Sequence, residues 1–439
     1  MKRNVNFIVV LLLVLMVPCL ASAQTMEEWA KDVKDRLEGT EITAAFASHP
    51  STEAFQAMTA EFEELTGIKV NWDVMEETYL KNKQLMDYTG SSRLYDVLMV
   101  DGFWISEYVP KNVVVSLRPF IEAPTTPDWF DYEDIMPAYR NGIGAYDGEA
   151  YGIPTAGETR FIGYRKDLFD KYGKTPPTTM EELLELAQFF NGKEPDLYGI
   201  AMRAQRGIHF ASGWLTVTYN FGDGFLDQTT WEPLMTSPGT VESLEYFVEL
   251  MKCAPPDVST YTHEEAVSAF MSGRTAMWFD ATALVSWIMD PSKSTVHDKV
   301  AFVAPPTGPA GDAGVFAGWN MAIASGSQKK DAAWAFIVFM TSKAKAKEYV
   351  MYGGVPTRTS VYQDPELIAR DPSYPVQLAS FDKANALVER GLAWIPATPE
   401  LGKVLDRTGY WGNMALIGEV TVEEACKRAQ AELEDIMGE

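Results

Sequence analysis

Three carboxylates, Asp101, Glu158 and Asp280, fall where predicted β-strands end or begin. A carboxylate accepts two neighbouring hydroxyls at once, so this set suits a polyhydroxylated ligand. Ser48 and His49 follow another predicted strand and add a hydroxyl and a ring nitrogen. Trp214 and Tyr219, beside the turn at Phe221-Gly222-Asp223-Gly224, offer flat apolar faces against which sugar C–H groups pack. Arg160 either reaches ligand or pairs with a surface acid. Asp101 has a competing local role as the cap of the helix that follows it.

These residues need strands to hold them. Ile42–Ala47 reads as a strand, and Phe55, Met58, Phe62 and Leu65 then recur at helical spacing. Gly67 closes that helix. Ile68, Val70, Trp72 and Val74 alternate as in a half-buried strand, and Tyr95–Val100 is a further strand ending at Asp101. Thr179 with Glu182, and Thr262 with Glu265, form capping boxes before apolar helices. Ala276–Phe279, Val300–Val303 and Trp319–Ala324 read as strands, and Asp331–Thr341 as an apolar helix in which Trp334 and Phe336 are core. The alternation predicts helix-covered, mainly parallel α/β sheets, with ligands beyond the carboxyl ends of strands.

Composition narrows the function. The chain has 439 residues, enough for two lobes, and a formal charge of −24, which repels nucleic acid and anionic lipid. The first residues fit a secretory signal: Lys2 and Arg3, an apolar run from Phe7 to Val17, and Ala21-Ser22-Ala23 as cleavage site. Pro18 before Cys19 disfavours a lipid anchor. These features place residues 1–23 in a leader and the remainder in the periplasm. Cys253 and Cys426 leave a disulfide open. The four histidines have no zinc-site spacing, and no metal or other cofactor is expected. No hydrolase, metalloprotease or P-loop motif occurs, so no catalytic residue is expected.

The segment Tyr151–Gly173, YGIPTAGETRFIGYRKDLFDKYG, resembles the crossover of extracellular solute-binding proteins of the maltose-binding type. Glu158 precedes Lys166-Asp167 by the interval that separates a sugar-binding Glu from Lys-Asp in that family. Asp101, in Tyr-Asp-Val-Leu-Met-Val-Asp-Gly, resembles its strand-end Asp. Gly273–Asp280 resembles its Gly-Lys-Ala-Ala-Met stretch. Gly318-Trp319-Asn320 resembles the glycine-plus-aromatic element of sugar and polyol binders, and Arg358 lies near a third crossing. Ala283 departs from the family, which places Trp there, and argues against a maltodextrin.

The resemblance implies a two-lobed type II periplasmic-binding-protein fold with three hinge crossings. It divides the chain into residues 24–154 plus 306–352 and residues 155–305 plus 353–439. It further implies a monomer that captures a neutral monosaccharide, polyol or small glycoside and delivers it to the membrane permease of an ABC importer. The expected ligand-binding set is Ser48, His49, Asp101, Glu158, Arg160, Trp214, Tyr219, Asp280, Trp319, Asn320 and Arg358. Two alternatives stay open. One is an exported glycoside hydrolase using Asp101 and Glu158. The other is a binding protein for an opine, a phosphorylated polyol or a peptide.

Overall fold

The computed structural model describes residues 24–438 apart from 91 and 395. The expected leader and its cleavage site lie outside these residues. The strands, in chain order, are β1 (Glu41–Ala47), β2 (Lys69–Met75), β3 (Val97–Asp101), β4 (Ala145–Tyr146), β5 (Glu149–Ala150), β6 (Ile153–Glu158), β7 (Arg160–Arg165), β8 (Tyr198–Ala201), β9 (Thr275–Ala281), β10 (Val300–Val303) and β11 (Ala317–Ile323). They form one sheet in the order β2-β1-β3-β11-β6 and a second in the order β10-β7-β9-β8, with β4 and β5 pairing apart. Helices cover both sheets, giving the two-lobed α/β fold.

Both sheets are mixed, where the alternation of strands and helices predicted mainly parallel ones. β1 runs parallel to β2 and β3, but β11 is antiparallel to both β3 and β6. In the second sheet β8–β9 is parallel and the other two pairs are antiparallel. The crossings account for the difference. A strand that returns from the other lobe enters its sheet from the opposite end and runs against its neighbours.

Local signals explain the elements. Helix Pro50–Thr66 buries Phe55, Met58 and Phe62, and ends at Gly67 with φ 70°. Both capping boxes form, Thr179 with Glu182 and Thr262 with Glu265. Helix Lys330–Thr341 is buried along nearly all its length, including Trp334 and Phe336.

The first passage between sheets is short. β6 belongs to the first sheet and β7 to the second, with Thr159 alone between them. The expected boundary at 154/155 is too early, because Pro154, Ala156, Gly157 and Glu158 all pair with β11. The second passage joins β10 to β11. The third also comes later than residue 353. Thr357 Oγ1 donates to the Pro154 carbonyl, and Ser360 Oγ donates to Asp134 at 2.6 Å, so the chain still lies on the first lobe there. Cys253 and Cys426 are buried free thiols, not a disulfide. No helix among the described residues is long and apolar enough to cross a membrane.

Candidate functional site

The passage at Thr159 sets Glu158 and Arg160 into a cavity between the two lobes. From the first lobe come Ser48 and His49 after β1, Glu77 after β2, Asp101 and Phe103 after β3, and Trp319 in β11. From the second come Arg203, Ser212, His263, Ala283 and Trp394.

His49 begins helix Pro50–Thr66, and its Nδ1 accepts from the Ser51 N–H at 3.0 Å. Nε2 therefore carries the ring proton and donates to Glu158 Oε1 at 3.0 Å. This buried pair fixes one Glu158 oxygen. Asp101 caps helix Gly102–Tyr108 by accepting from the Phe103 N–H at 2.7 Å, and it also lines the cavity, so both expected roles coexist. Burial first, then the charge of Glu77, pushes its carboxyl well above the ordinary range, while the Phe103 N–H pulls the other way. The shift favours the neutral acid, which donates as well as accepts.

Trp319 pairs with Asp101 across β11 and β3. Its ring meets Trp104 edge-on at 5.4 Å and lies 6.0 Å from His49. Gly318 permits this placement. Its φ is 149°, and a Cβ there would stand 1.9 Å from the Ala156 carbonyl oxygen.

On the facing wall, Arg203 clamps Asp280 with two hydrogen bonds, at 2.9 and 2.6 Å. Arg160 Nε stands 3.7 Å from the same carboxylate. Burial alone would raise Asp280, but Arg203 and Arg160 pull it below its ordinary value. Arg160 also donates to the Ser212 carbonyl and hydroxyl and to Thr216, and its guanidinium sits 5.0 Å from the Trp394 ring centre. Burial lowers Arg160 to about 10 despite Asp280. Burial, with Arg203 next, holds His263 well below its ordinary value.

The two lobes touch. Phe103 meets Trp394 at 5.0 Å, His209 Nε2 lies 3.2 Å from Glu76, and Lys293 pairs with Glu53 at 2.6 Å. The arrangement is the closed one.

The sequence of residues 47–347 matches the family of bacterial extracellular solute-binding proteins. The chain belongs to that family. A "mannitol-binding protein" of Pseudomonas aeruginosa is 28% identical, the match covering 89% of this chain and 91% of the relative. A protein of Sinorhizobium fredii named "probable amino-acid ABC transporter periplasmic-binding protein" is 26% identical over 96% of this chain and 95% of the relative. Among solved structures, an ABC transporter solute-binding protein of Agrobacterium radiobacter in complex with ribitol superposes with a TM-score of 0.85. It is 29% identical, over 91% of this chain and 99% of that one.

Within this solute-binding protein, Ser48, His49, Asp101, Glu158, Arg160 and Trp319 line the cavity together. Five other expected residues do not. Asp280 is fully buried behind Arg203 and positions it. Trp214 sits in helix Ile208–Thr218, which is buried nearly throughout. It packs on Phe225 and donates to Ser243, and so belongs to the core. Tyr219 is core as well, but its hydroxyl and Gln228 both bond the Ala393 carbonyl and so brace the loop carrying Trp394. Asn320 points away from the cavity and donates to the Val100 and Ile143 carbonyls. Arg358 is spent on the carbonyls of Thr341, Phe130 and Asp131.

Glu77, Ser212, His263 and Trp394 were not in the expected set. Trp394 stands in a loop between Gly391 and Pro396, a place where a large aromatic has no helix or strand to pack into. That is the one signal that marks it. Arg203 gives no such sign, because its pairing with Asp280 spans distant segments.

Proposed function

We propose that this protein is the substrate-capturing component of an ABC importer, and that it encloses a small polyol or monosaccharide. The observation that carries this reading is the mixed lining of the closed cavity. Glu158, with one oxygen held by His49, accepts hydrogen bonds from hydroxyls, Asp101 donates as well as accepts, and the Trp319 and Trp394 indoles supply faces for C–H groups. Arg160 and Arg203 share the carboxylate of Asp280 and also face the charges of Glu158 and Glu77, so the cations of the wall are matched by acids. This balance favours a neutral ligand over a phosphorylated one. Ala283 takes the place of a large aromatic and leaves one wall bare.

Ligand binding closes the lobes because the full set of contacts exists only when both walls meet. The closed form then docks on the importer's membrane subunits, and the protein releases its ligand without turning it over. Thermal-shift measurement with ribitol, mannitol, hexoses, amino acids and chromogenic glycosides tests this reading. A rise in melting temperature is expected with at least one polyol or monosaccharide and no release of chromophore. Stabilisation by amino acids alone, or glycoside turnover, would overturn it.

A further inference from the structure

Three side chains cluster at the seam of the lobes. Glu77 begins helix Glu77–Gly90 of the first lobe. His209 and His263 open the helices Ile208–Thr218 and His263–Met271 of the second. All three are buried, and one potential ligand atom from each lies within 4.8 Å of the other two. His263 is buried with neither ring nitrogen hydrogen-bonded, and His209 Nδ1 is likewise without a partner. Unsatisfied buried nitrogens are costly, and three in one cluster call for a common ligand.

Glu76 supplies the second observation. Its carboxylate lies 3.2 Å from His209 Nε2. A proton on Nε2 gives that hydrogen bond and leaves Nδ1 as a free, unpartnered lone pair. A carboxylate that holds the far nitrogen of a histidine is the outer partner metal-binding imidazoles take.

We propose that Glu77, His209 and His263 form a site for Zn²⁺ or a similar borderline divalent transition metal, which bridges the two lobes. Two imidazoles and one carboxylate make a three-ligand zinc set with a fourth position open. Glu77 and His263 line the ligand cavity, so the open position faces it. Glu77 and Ile208 also line an outer depression, which gives the ion a path from solvent. Zinc bonds of about 2.0–2.2 Å require the three ligand atoms to draw together by roughly 1 Å, the scale of side-chain rotation. Glu76 and Glu77 bring two negative charges to the dication. Because Glu77 stands on one lobe and the histidines on the other, the set is complete only in the closed form. The ion therefore favours closure by binding that form alone.

Calorimetric titration of the chelator-treated protein with Zn²⁺, without sugar, tests the site, with Co²⁺ as a spectroscopic probe. One Zn²⁺ per chain and the visible bands of tetrahedral Co²⁺ are expected. His209→Ala should abolish both, and Glu76→Gln should weaken Zn²⁺ binding about 10- to 100-fold. Small-angle scattering should show compaction on Zn²⁺ addition to wild type and none in His209→Ala. Circular dichroism establishes that the metal-free variants are folded, and Glu76→Gln, which keeps every ligand, reads the site if the histidine variant does not fold. Zn²⁺ uptake equal in wild type, His209→Ala and Glu76→Gln, or no uptake, would overturn the proposal. Polyol binding measured alongside distinguishes this outcome from a failure of the sugar reading.

Discussion

Asp280 and Asp101 show how differently two acids at one cavity are used. Asp280 never meets the ligand, yet two arginines depend on it. Asp280→Asn leaves Arg203 and Arg160 buried and underpaired, and should cost about 3–5 kcal/mol of stability in chemical denaturation. Its carboxyl is depressed in the folded state, so its contribution is complete above the unfolded value of about 4 and is lost as pH falls below it. The gap between wild type and Asp280→Asn should therefore narrow in acid. Asp101 has the opposite sign. Its raised folded value makes its contribution full below about pH 4 and lost as pH rises. Asn caps a helix as well as Asp does. Ligand-free Asp101→Asn should therefore melt higher than wild type at pH 7–8, with the gain vanishing below about pH 4. Denaturation at several pH values checks both. The strand-end acids were legible in the sequence because strand endings are. Their division of labour was not, since it depends on Arg203 and Glu77, brought in from distant segments.

At the scale of elements, the site rests on β11 and on the passage from β6 to β7. Gly318 lets β11 lie against β6 while Trp319 faces the cavity. Gly318→Ala meets both the positive φ and the Ala156 carbonyl, and should destabilise by more than about 1 kcal/mol, read as a lower denaturation midpoint. Periodicity and caps revealed most elements: the helix ending at Gly67, the two capping boxes, and the strands after which Ser48, His49 and Asp101 stand. Strand direction was hidden, because antiparallel insertion of β11 is decided by where the chain re-enters the sheet. Trp214 and Tyr219 misled because aromatic content alone does not separate a cavity wall from a core. The partners of each ring do: Trp214 packs on Phe225 and donates to Ser243, while Ser212 of the same helix lines the cavity. Asn320 and Arg358 look like ligand donors until their carbonyl partners, contributed by other segments, are known.

At the scale of the molecule, the cavity exists because two lobes meet. Cross-lobe contacts include exposed pairs, such as Lys293 with Glu53, and buried ones, such as Phe103 with Trp394 and Tyr139 with Phe381. An exposed pair such as Lys293–Glu53 contributes little, about 0–1 kcal/mol. The fold and the resemblance of Tyr151–Gly173 to the solute-binding family predicted two lobes and a cleft. The closed geometry and the lining from Trp394 needed coordinates. The most direct test is calorimetric titration of the mature protein with ribitol, mannitol and hexoses, run in parallel on Glu158→Ala and Trp319→Ala. One ligand per chain is expected in wild type, with affinity about 10- to 100-fold weaker in each variant and folding unchanged. Binding of the same polyol or sugar with equal affinity in all three proteins would contradict the site, and binding of none of them would contradict the assignment of ligand.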